Sequence, residues 1–327
     1  MTNNLREVEF EKTLGGEGIE TDDRIVPIID VSDFELRRDE ISEALWKAAT
    51  EVGFFQLKKH SLQLDLVRSA FAASEAFFKL DNDEKSDFSL KSGLNAGWEF
   101  MSQVRPSTGT ADQKESFQIT LPHMNELWPT QTQVPEFQRI LLEFEYKAWL
   151  LGMKILSCFA DKLGFERDFF TQGHNRSSQH YQSTLRLLHY LPLAREQTIE
   201  KGIWRAGAHT DFDCLTMVFQ RNGQSGLQVC PGRGAEDIQV WSSVEPNDEL
   251  ITCNIGDMLM RWSDDKLKST LHRVKMPNQD EYRGSRYSMA FFCQANKDAI
   301  IQGPEKKYPA ITAKDYILQR INANFAR

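Results

Sequence analysis

Ala206-Gly-Ala-His209-Thr-Asp211-Phe-Asp-Cys-Leu215-Thr-Met-Val-Phe-Gln220-Arg-Asn-Gly-Gln-Ser225-Gly-Leu-Gln-Val-Cys230 is the stretch that decides the fold. It holds two short β-rich runs, 215–220 and 226–230, divided by residues that favour turns. The same texture extends in both directions from Thr184. Runs at 185–190, 238–241, 251–254, 258–262, 271–275 and 287–293 are each bounded by Gly, Pro, Asn or Asp. Eight short strands with turn signals between them predict a jelly roll or another double-sheet barrel. Upstream, apolar residues recur at helical spacing over 33–51, 64–80 and 135–163, the last with Pro135 at its start and Gly164 at its end. Short strands are expected at 25–30 and 53–57, and a closing helix at 313–324. The predicted class is mainly β with a helical N-terminal part. Its divisions are a flexible arm (1–24), a helical region with flanking strands (25–180), a β catalytic core (181–300) and a C-terminal helix (301–327).

With 327 residues the chain is long enough to bury a sizeable core. Hydrophobic residues at 40% and charged residues at 26% are ordinary for a soluble globular protein. No apolar run approaches the roughly 18 residues a membrane span needs, and the first residues lack the apolar stretch of a signal peptide, so a cytoplasmic location without membrane partners is expected. Cys158, Cys214, Cys230, Cys253 and Cys293 are odd in number and contain no CxxC pair, which excludes a disulfide framework or zinc knuckle as the organising device. A net charge of -8 without clustered Lys and Arg argues against a nucleic-acid partner. An anionic small molecule would need a local arginine.

His209 and Asp211 are separated by one residue, and two such residues of an extended segment face the same side. Alone the pattern carries little, because seven histidines give about one such match by chance. Its weight comes from three residues further along the chain. His272 lies on a later predicted strand that a barrel can fold back against the first pair, and Arg286 and Ser288 repeat the one-residue spacing on the last strand. Two imidazoles and one carboxylate leave half of an octahedron open, as in non-haem Fe(II) sites that hold a cosubstrate and O2 together. The arginine and serine would grip a carboxylate.

The segments Gly207-Ala-His-Thr-Asp-Phe212, Ser225-Gly-Leu-Gln-Val229, Asn254-Ile-Gly-Asp-Met-Leu259, Lys268-Ser-Thr-Leu-His-Arg-Val274 and Arg286-Tyr-Ser288 resemble those of the Fe(II)/2-oxoglutarate-dependent dioxygenases of the isopenicillin N synthase-like superfamily. Val26-Pro-Ile-Ile-Asp30 and Gly53-Phe-Phe55 are similar to that family's N-terminal region, so the likeness covers about residues 25–325. The resemblance implies a double-stranded β-helix core and iron held by His209, Asp211 and His272. It also implies 2-oxoglutarate held by Arg286 and Ser288, with Tyr190 lining the cosubstrate pocket. The implied reaction consumes 2-oxoglutarate and O2, releases succinate and CO2, and removes a hydrogen atom from a small-molecule substrate, with hydroxylation as the default outcome. Retention of Asp211 disfavours halogenation.

Arg186 in an otherwise apolar run needs an anion or polar partner, either a local acid or a substrate carbonyl or carboxylate. Phe212 and Phe292 flank the motifs and would suit a flat polar ring. In this neighbourhood the chain is similar to fungal members of the thymine 7-hydroxylase kind and to oxygenases of aromatic polyketide pathways, which places it in secondary metabolism. Lys114 and Glu115 read as packing and ion-pair residues, His189 as bonded to backbone, Asn95 to Trp98 and Trp128 as pocket wall, and Asn254 to Asp257 as a turn in which Gly256 supplies an unusual backbone angle. Competing readings are an oxidase of the same fold that needs no 2-oxoglutarate, a zinc hydrolase, and a binding module that has lost its chemistry.

Overall fold

In the computed structural model, residues 18–21, 26–91, 93–104, 109–194, 196–200, 202–231 and 239–325 are described. The first half supplies β1 (Ile19–Glu20), β2 (Ile28–Asp30), α1 (Arg38–Glu51), β3 (Phe54–Lys58), α2 (Leu64–Phe78), α3 (Asn82–Ser86), β4 (Gly97–Phe100), β5 (Lys114–Ile119), α4 (Phe137–Leu163) and α5 (Phe169–Gly173). The second half supplies β6 (Thr184–Tyr190), β7 (Ala206–His209), β8 (Leu215–Gln220), β9 (Leu227–Val229), β10 (Val240–Ser243), β11 (Ile251–Ile255), α6 (Asp257–Trp262), β12 (His272–Val274) and β13 (Arg286–Cys293). The chain closes with β14 (Ile300–Ile301), β15 (Ile311–Thr312) and α7 (Ala313–Phe325).

An eight-stranded sheet runs β2-β3-β11-β8-β13-β6-β5-β4 and faces a five-stranded sheet, β1-β10-β9-β12-β7. This is the jelly-roll arrangement expected of the sequence, and four strands of its larger sheet come from the first half of the chain. Alternation along each strand decides what the large sheet touches. Phe55, Leu57, Phe117, Ile119, Leu185, Leu187, Met217, Phe219, Met289 and Phe291 all join the main apolar core with α2 and α4. Helix α4 comes so close that a side chain at Gly152 would meet Cys293 Sγ at 2.5 Å.

The opposite face looks into the barrel, and strand register arranges it in rows. One row is Thr184, Phe292, Thr216, Asn254 and Phe54; the next is Gln118, Arg186, Ala290, Val218, Thr252 and Gln56. Beyond them come Ser116, Leu188, Ser288 and Gln220, and then Lys114, Tyr190 and Arg286. Apolar members of these rows pack with Ala206, Leu227, Val229 and Val274 in a second cluster.

Several elements depart from the sequence expectation. Residues 258–262 form a helix turn, not a strand: Met260 N–H donates to the Gly256 carbonyl, and a five-residue apolar run does not reveal its period. Helix α4 begins at Phe137 after Glu136, whose φ is 59°, so Pro135 lies outside the first turn; Gly164, at φ 78°, does end it. Gly256 has an ordinary φ of -95°; glycine is required there because a Cβ would sit 2.2 Å from the Asp213 carbonyl oxygen. Most of the expected N-terminal arm, and Ile238 of the expected strand 238–241, lie outside the described residues, while Ile19 and Glu20 pair in parallel with Val240 and Trp241.

Between sheet and helices lies a buried polar knot. Glu115 accepts from Lys85 Nζ at 2.8 Å, Trp98 Nε1 at 2.7 Å and His189 Nδ1 at 2.7 Å. His189 is therefore bonded to a carboxylate rather than to backbone, and its ring stacks on Tyr287 at 4.7 Å. Burial alone would raise the Glu115 carboxyl, but these hydrogen bonds outweigh it and hold the group below the usual carboxylate range. A folded pKa below the unfolded one stabilises the fold above the unfolded value and stops doing so as pH falls through the folded value. Glu115→Gln is expected to cost about 3 kcal/mol in urea denaturation at neutral pH, with the gap closing in acid. A gap independent of pH would assign the loss to packing.

Candidate active site

Strand β7 ends at His209, and Asp211 lies just beyond it, ahead of a bend at 212–214, rather than on the strand itself. β12 lies antiparallel to β7 with His272 opposite His209, and the register shifts between His272 and Val274. His209 Nε2 and His272 Nε2 stand 3.8 and 3.7 Å from Asp211 Oδ1, and the three donor atoms lie within 4.8 Å of one another. Residues scattered in sequence thus form one cluster.

Hydrogen bonds select which atom of each of these side chains faces the common point. His209 Nδ1 lies 2.7 Å from the Gly207 carbonyl and His272 Nδ1 3.4 Å from the Thr270 carbonyl. A carbonyl only accepts, so each Nδ1 carries the proton and each Nε2 presents its lone pair. Asp211 Oδ2 accepts from Thr216 Oγ1 at 2.6 Å and Asn254 Nδ2 at 2.8 Å, which leaves Oδ1 on the side of the imidazoles. Phe54 packs edge-on against His272 at 5.5 Å. Two imidazole nitrogens and one carboxylate oxygen, oriented by partners that use their other atoms, fit a divalent ion with positions left open. Neither Thr216 nor Asn254 is marked as a site residue by the sequence. Asn254 is legible there only as part of a turn motif, whereas it is a strand residue bonded to Asp211.

Farther along β13, Arg286 is buried and its guanidinium lies over the Tyr190 ring at 4.6 Å. Its Nε donates to the carbonyls of Gln224 and Ser225 and its Nη2 to Gln220 Oε1, but Nη1 is buried with no partner among the described residues. Burial lowers its pKa. Ser288 is buried one row nearer the metal cluster. Arg205 is a second buried guanidinium, absent from the sequence reading, and its Nε is likewise unpartnered among the described residues. Burial first, and then the charge of Arg286, push Arg205 down to about 10. An arginine next to Ala-Gly-Ala could have been flagged on the grounds that single out Arg186. Two buried cations with no carboxylate in salt-bridge contact among the described residues, Glu281 acting on Arg205 only through its charge, fit an anionic ligand such as a dicarboxylate.

Arg186 and Phe292 come together: the guanidinium lies 5.2 Å from the ring centre. Arg186 Nη2 also reaches Asn95 Oδ1 at 3.4 Å, and its charge is among the influences that lower Glu99, against the opposing effect of burial. Gln118 donates to Glu99, yet its own Oε1 is a buried acceptor with no partner among the described residues. Phe212 is placed differently. Its ring lies 4.6 Å from the guanidinium of Arg320 on α7. Trp98 and Trp128 also serve elsewhere, the first bonded to Glu115 and the second packed against Phe137 at 6.3 Å.

The 2OG-Fe(II) oxygenase superfamily model matches residues 181–295, and the model for the N-terminal region of non-haem dioxygenases in morphine synthesis matches residues 26–136. The chain is 30% identical to the 2-oxoglutarate-dependent dioxygenase traH of Penicillium crustosum over 86% of this chain and 88% of that one. It is 29% identical to the 2-oxoglutarate-Fe(II) type oxidoreductase hxnY of Emericella nidulans, over 92% and 90%. The full-length thymine 7-hydroxylase of Neurospora crassa, in complex with alpha-KG and thymine, superposes with a TM-score of 0.79 at 27% identity, covering 95% of this chain and 99% of that one. The chain belongs to the 2OG-Fe(II) oxygenase superfamily and is an Fe(II)/2-oxoglutarate-dependent dioxygenase.

Because Thr216 and Asn254 act on the oxygen of Asp211 that faces away from the imidazoles, Thr216→Val and Asn254→Leu are each expected to weaken Co(II) binding about 10- to 100-fold. The thermal transition supplies the control for folding. Titrations indistinguishable from wild type would show that these bonds do not orient Asp211.

Proposed function

We propose that this dioxygenase hydroxylates a small, flat ring compound with a polar edge, and that Arg186 and Phe292 read that compound. The carrying observation is the Arg186–Phe292 pair on the inner rows that also hold Thr216 and Asn254. Phe292 offers a face for stacking and Arg186 offers N–H donors to a ring carbonyl or phenolate. The buried Gln118 Oε1 lies in register with Arg186 and would accept from a ring N–H or O–H. A thymine complex of a similar protein supports a nitrogen heterocycle as one such ligand.

In this reading His209, Asp211 and His272 hold the iron, Arg286 and Ser288 bind the distal carboxylate of 2-oxoglutarate, and Tyr190 flanks it. Bound iron with 2-oxoglutarate and O2 supplies the oxidising power that removes a substrate hydrogen atom, with succinate and CO2 released. The protein's part is placement. Arg286 and Phe292 are six residues apart on one strand, about 20 Å, so cosubstrate carboxylate and substrate ring are assigned to different ends of the barrel. The buried cation at one end rejects neutral molecules from the cosubstrate position, and the aromatic pair at the other orients one edge of the ring. Phe212 is left out of the substrate set because its ring lies against Arg320.

The test is succinate release with Fe(II), 2-oxoglutarate and a panel of nucleobases and methylated phenols, with products weighed for one added oxygen atom. Asp211→Ala should abolish turnover. Arg286→Met should raise the KM for 2-oxoglutarate about 10- to 100-fold, the worth of a charged hydrogen bond, while Arg186→Met should raise substrate KM and leave more succinate formed per product. A panel without a turned-over member, together with an Arg186→Met enzyme unchanged on its natural substrate, would sink the assignment.

A further inference from the structure

The buried stripe of α7 is Ala313, Tyr316 and Arg320, all inaccessible to solvent. The first two join the main apolar core. The third is a charge, and a charge here is costly unless its partners are in place. Those partners belong to the metal-binding turn and its support: Arg320 Nη2 lies 2.5 Å from Asp257 Oδ2 and donates to Thr210 Oγ1 at 3.2 Å, and the guanidinium covers Phe212 at 4.6 Å. Thr210 sits between His209 and Asp211, and Phe212 follows Asp211. The side chains on either side of the aspartate that would bind iron are thus held by one guanidinium.

Asp257 completes the connection. Its Oδ2 also accepts from Thr210 Oγ1 at 3.0 Å, and its backbone N–H donates to the Asp211 carbonyl at 2.8 Å. The neighbouring amides of Gly256 and Met258 donate to the carbonyls of Cys214 and Asp213, so the start of α6 grips the turn through three main-chain bonds. Buried ion pairs are poor sources of net stability compared with apolar residues of similar volume; their attested use is to fix one arrangement. Here the arrangement fixed is that of residues 209–213.

We propose that Arg320 is a positioning residue for the iron site: α7, through the Arg320–Asp257 pair, braces the turn that carries two of the three ligands. The proposal rests on the reading of His209 and Asp211 as ligands. Arg320 itself touches neither metal nor substrate. A methyl-terminated side chain would fill the space without the bonds to Asp257 and Thr210. Lysine would pair with Asp257 but could not also lie flat on Phe212.

The test is Co(II) titration of the full chain, followed by absorption spectra of the bound ion and by thermal melting. Arg320→Met alone strands Asp257 without its cation, so the decisive variant is Arg320→Met/Asp257→Asn, which removes both charges together. Phe212→Leu, at a partly exposed position, gives a second reading without touching the ion pair. The double variant is expected to lose at least tenfold in Co(II) affinity and to show a broadened or shifted metal spectrum. Arg320→Lys should fall between it and wild type, and Phe212→Leu should shift the spectrum in the same sense. Wild-type affinity and spectrum in both the double variant and Phe212→Leu would overturn the brace. Wild-type Co(II) affinity in Asp211→Ala would instead overturn the ligand assignment, and the brace with it.

Discussion

Every residue of the large sheet must face either the helices or the barrel, and the two environments make opposite demands. The helical face needs apolar shape, and Leu185, Leu187, Met217, Phe219, Met289 and Phe291 provide it. The barrel face must carry donors, acceptors and charge, because polar groups shut away from water need partners. A slip of one residue in β13 would exchange Arg286, Ser288 and Phe292 for Tyr287, Met289 and Cys293. Core and site are therefore specified together. The helices that cover one face fix the register, and the register sets the rows in which the polar side chains stand.

That coupling explains why most of the fold is legible in the sequence and why some of it is not. Turn residues and β-rich runs mark most strands to within a residue or two, because local chemistry sets those boundaries. The helix at 257–262 escapes such a reading since Met258, Leu259 and Trp262 suit a buried strand and a buried helix turn equally well. The candidate ligands and Arg286 stand out by residue type and order, and the structure brings His209, Asp211 and His272 together. Their orientation is not legible there: Thr216 and Asn254 reach Asp211 only because β8 and β11 stand beside it, and the carbonyls of Gly207 and Thr270 accept from the histidines two residues on only in the local backbone shape the fold imposes. Phe212 illustrates the limit. Its neighbour Asp211 places it near the metal in sequence, but the next residue in a turn points elsewhere, here to a helix more than a hundred positions away.

Two cations of the barrel, Arg205 and Arg286, lack a salt-bridge partner among the described residues. The chain as a whole carries a net charge of -8, yet Arg205 and Arg286 are both buried, the charge of Arg286 lowers the pKa of Arg205, and no carboxylate among the described residues forms a salt bridge with either. Among the described residues their hydrogen bonds go to neutral acceptors, including the carbonyls of Gln224, Ser225 and Gly284 and the amide oxygen of Gln220, while Glu281 acts on Arg205 through its charge. Neutral acceptors satisfy hydrogen-bonding geometry but not charge. A dianionic ligand held there would supply a close charge partner and, by linkage, would stabilise the folded chain.

Metal and carboxylate ends are supported by different parts of the molecule. The cation at Arg286 depends on β13 and the loop before β9, whereas the turn at 209–213 depends on α6 and α7. Damage to one support need not reach the other. The larger sheet joins them, because Thr216 and Asn254 bond to Asp211 while Gln220, on the same strand as Thr216, bonds to Arg286. β8 is thus the shared member: its inward residues Thr216 and Gln220 hold Asp211 at one end and Arg286 at the other. Their separation is set by strand geometry, at about 3.4 Å per residue, and not by any flexible element.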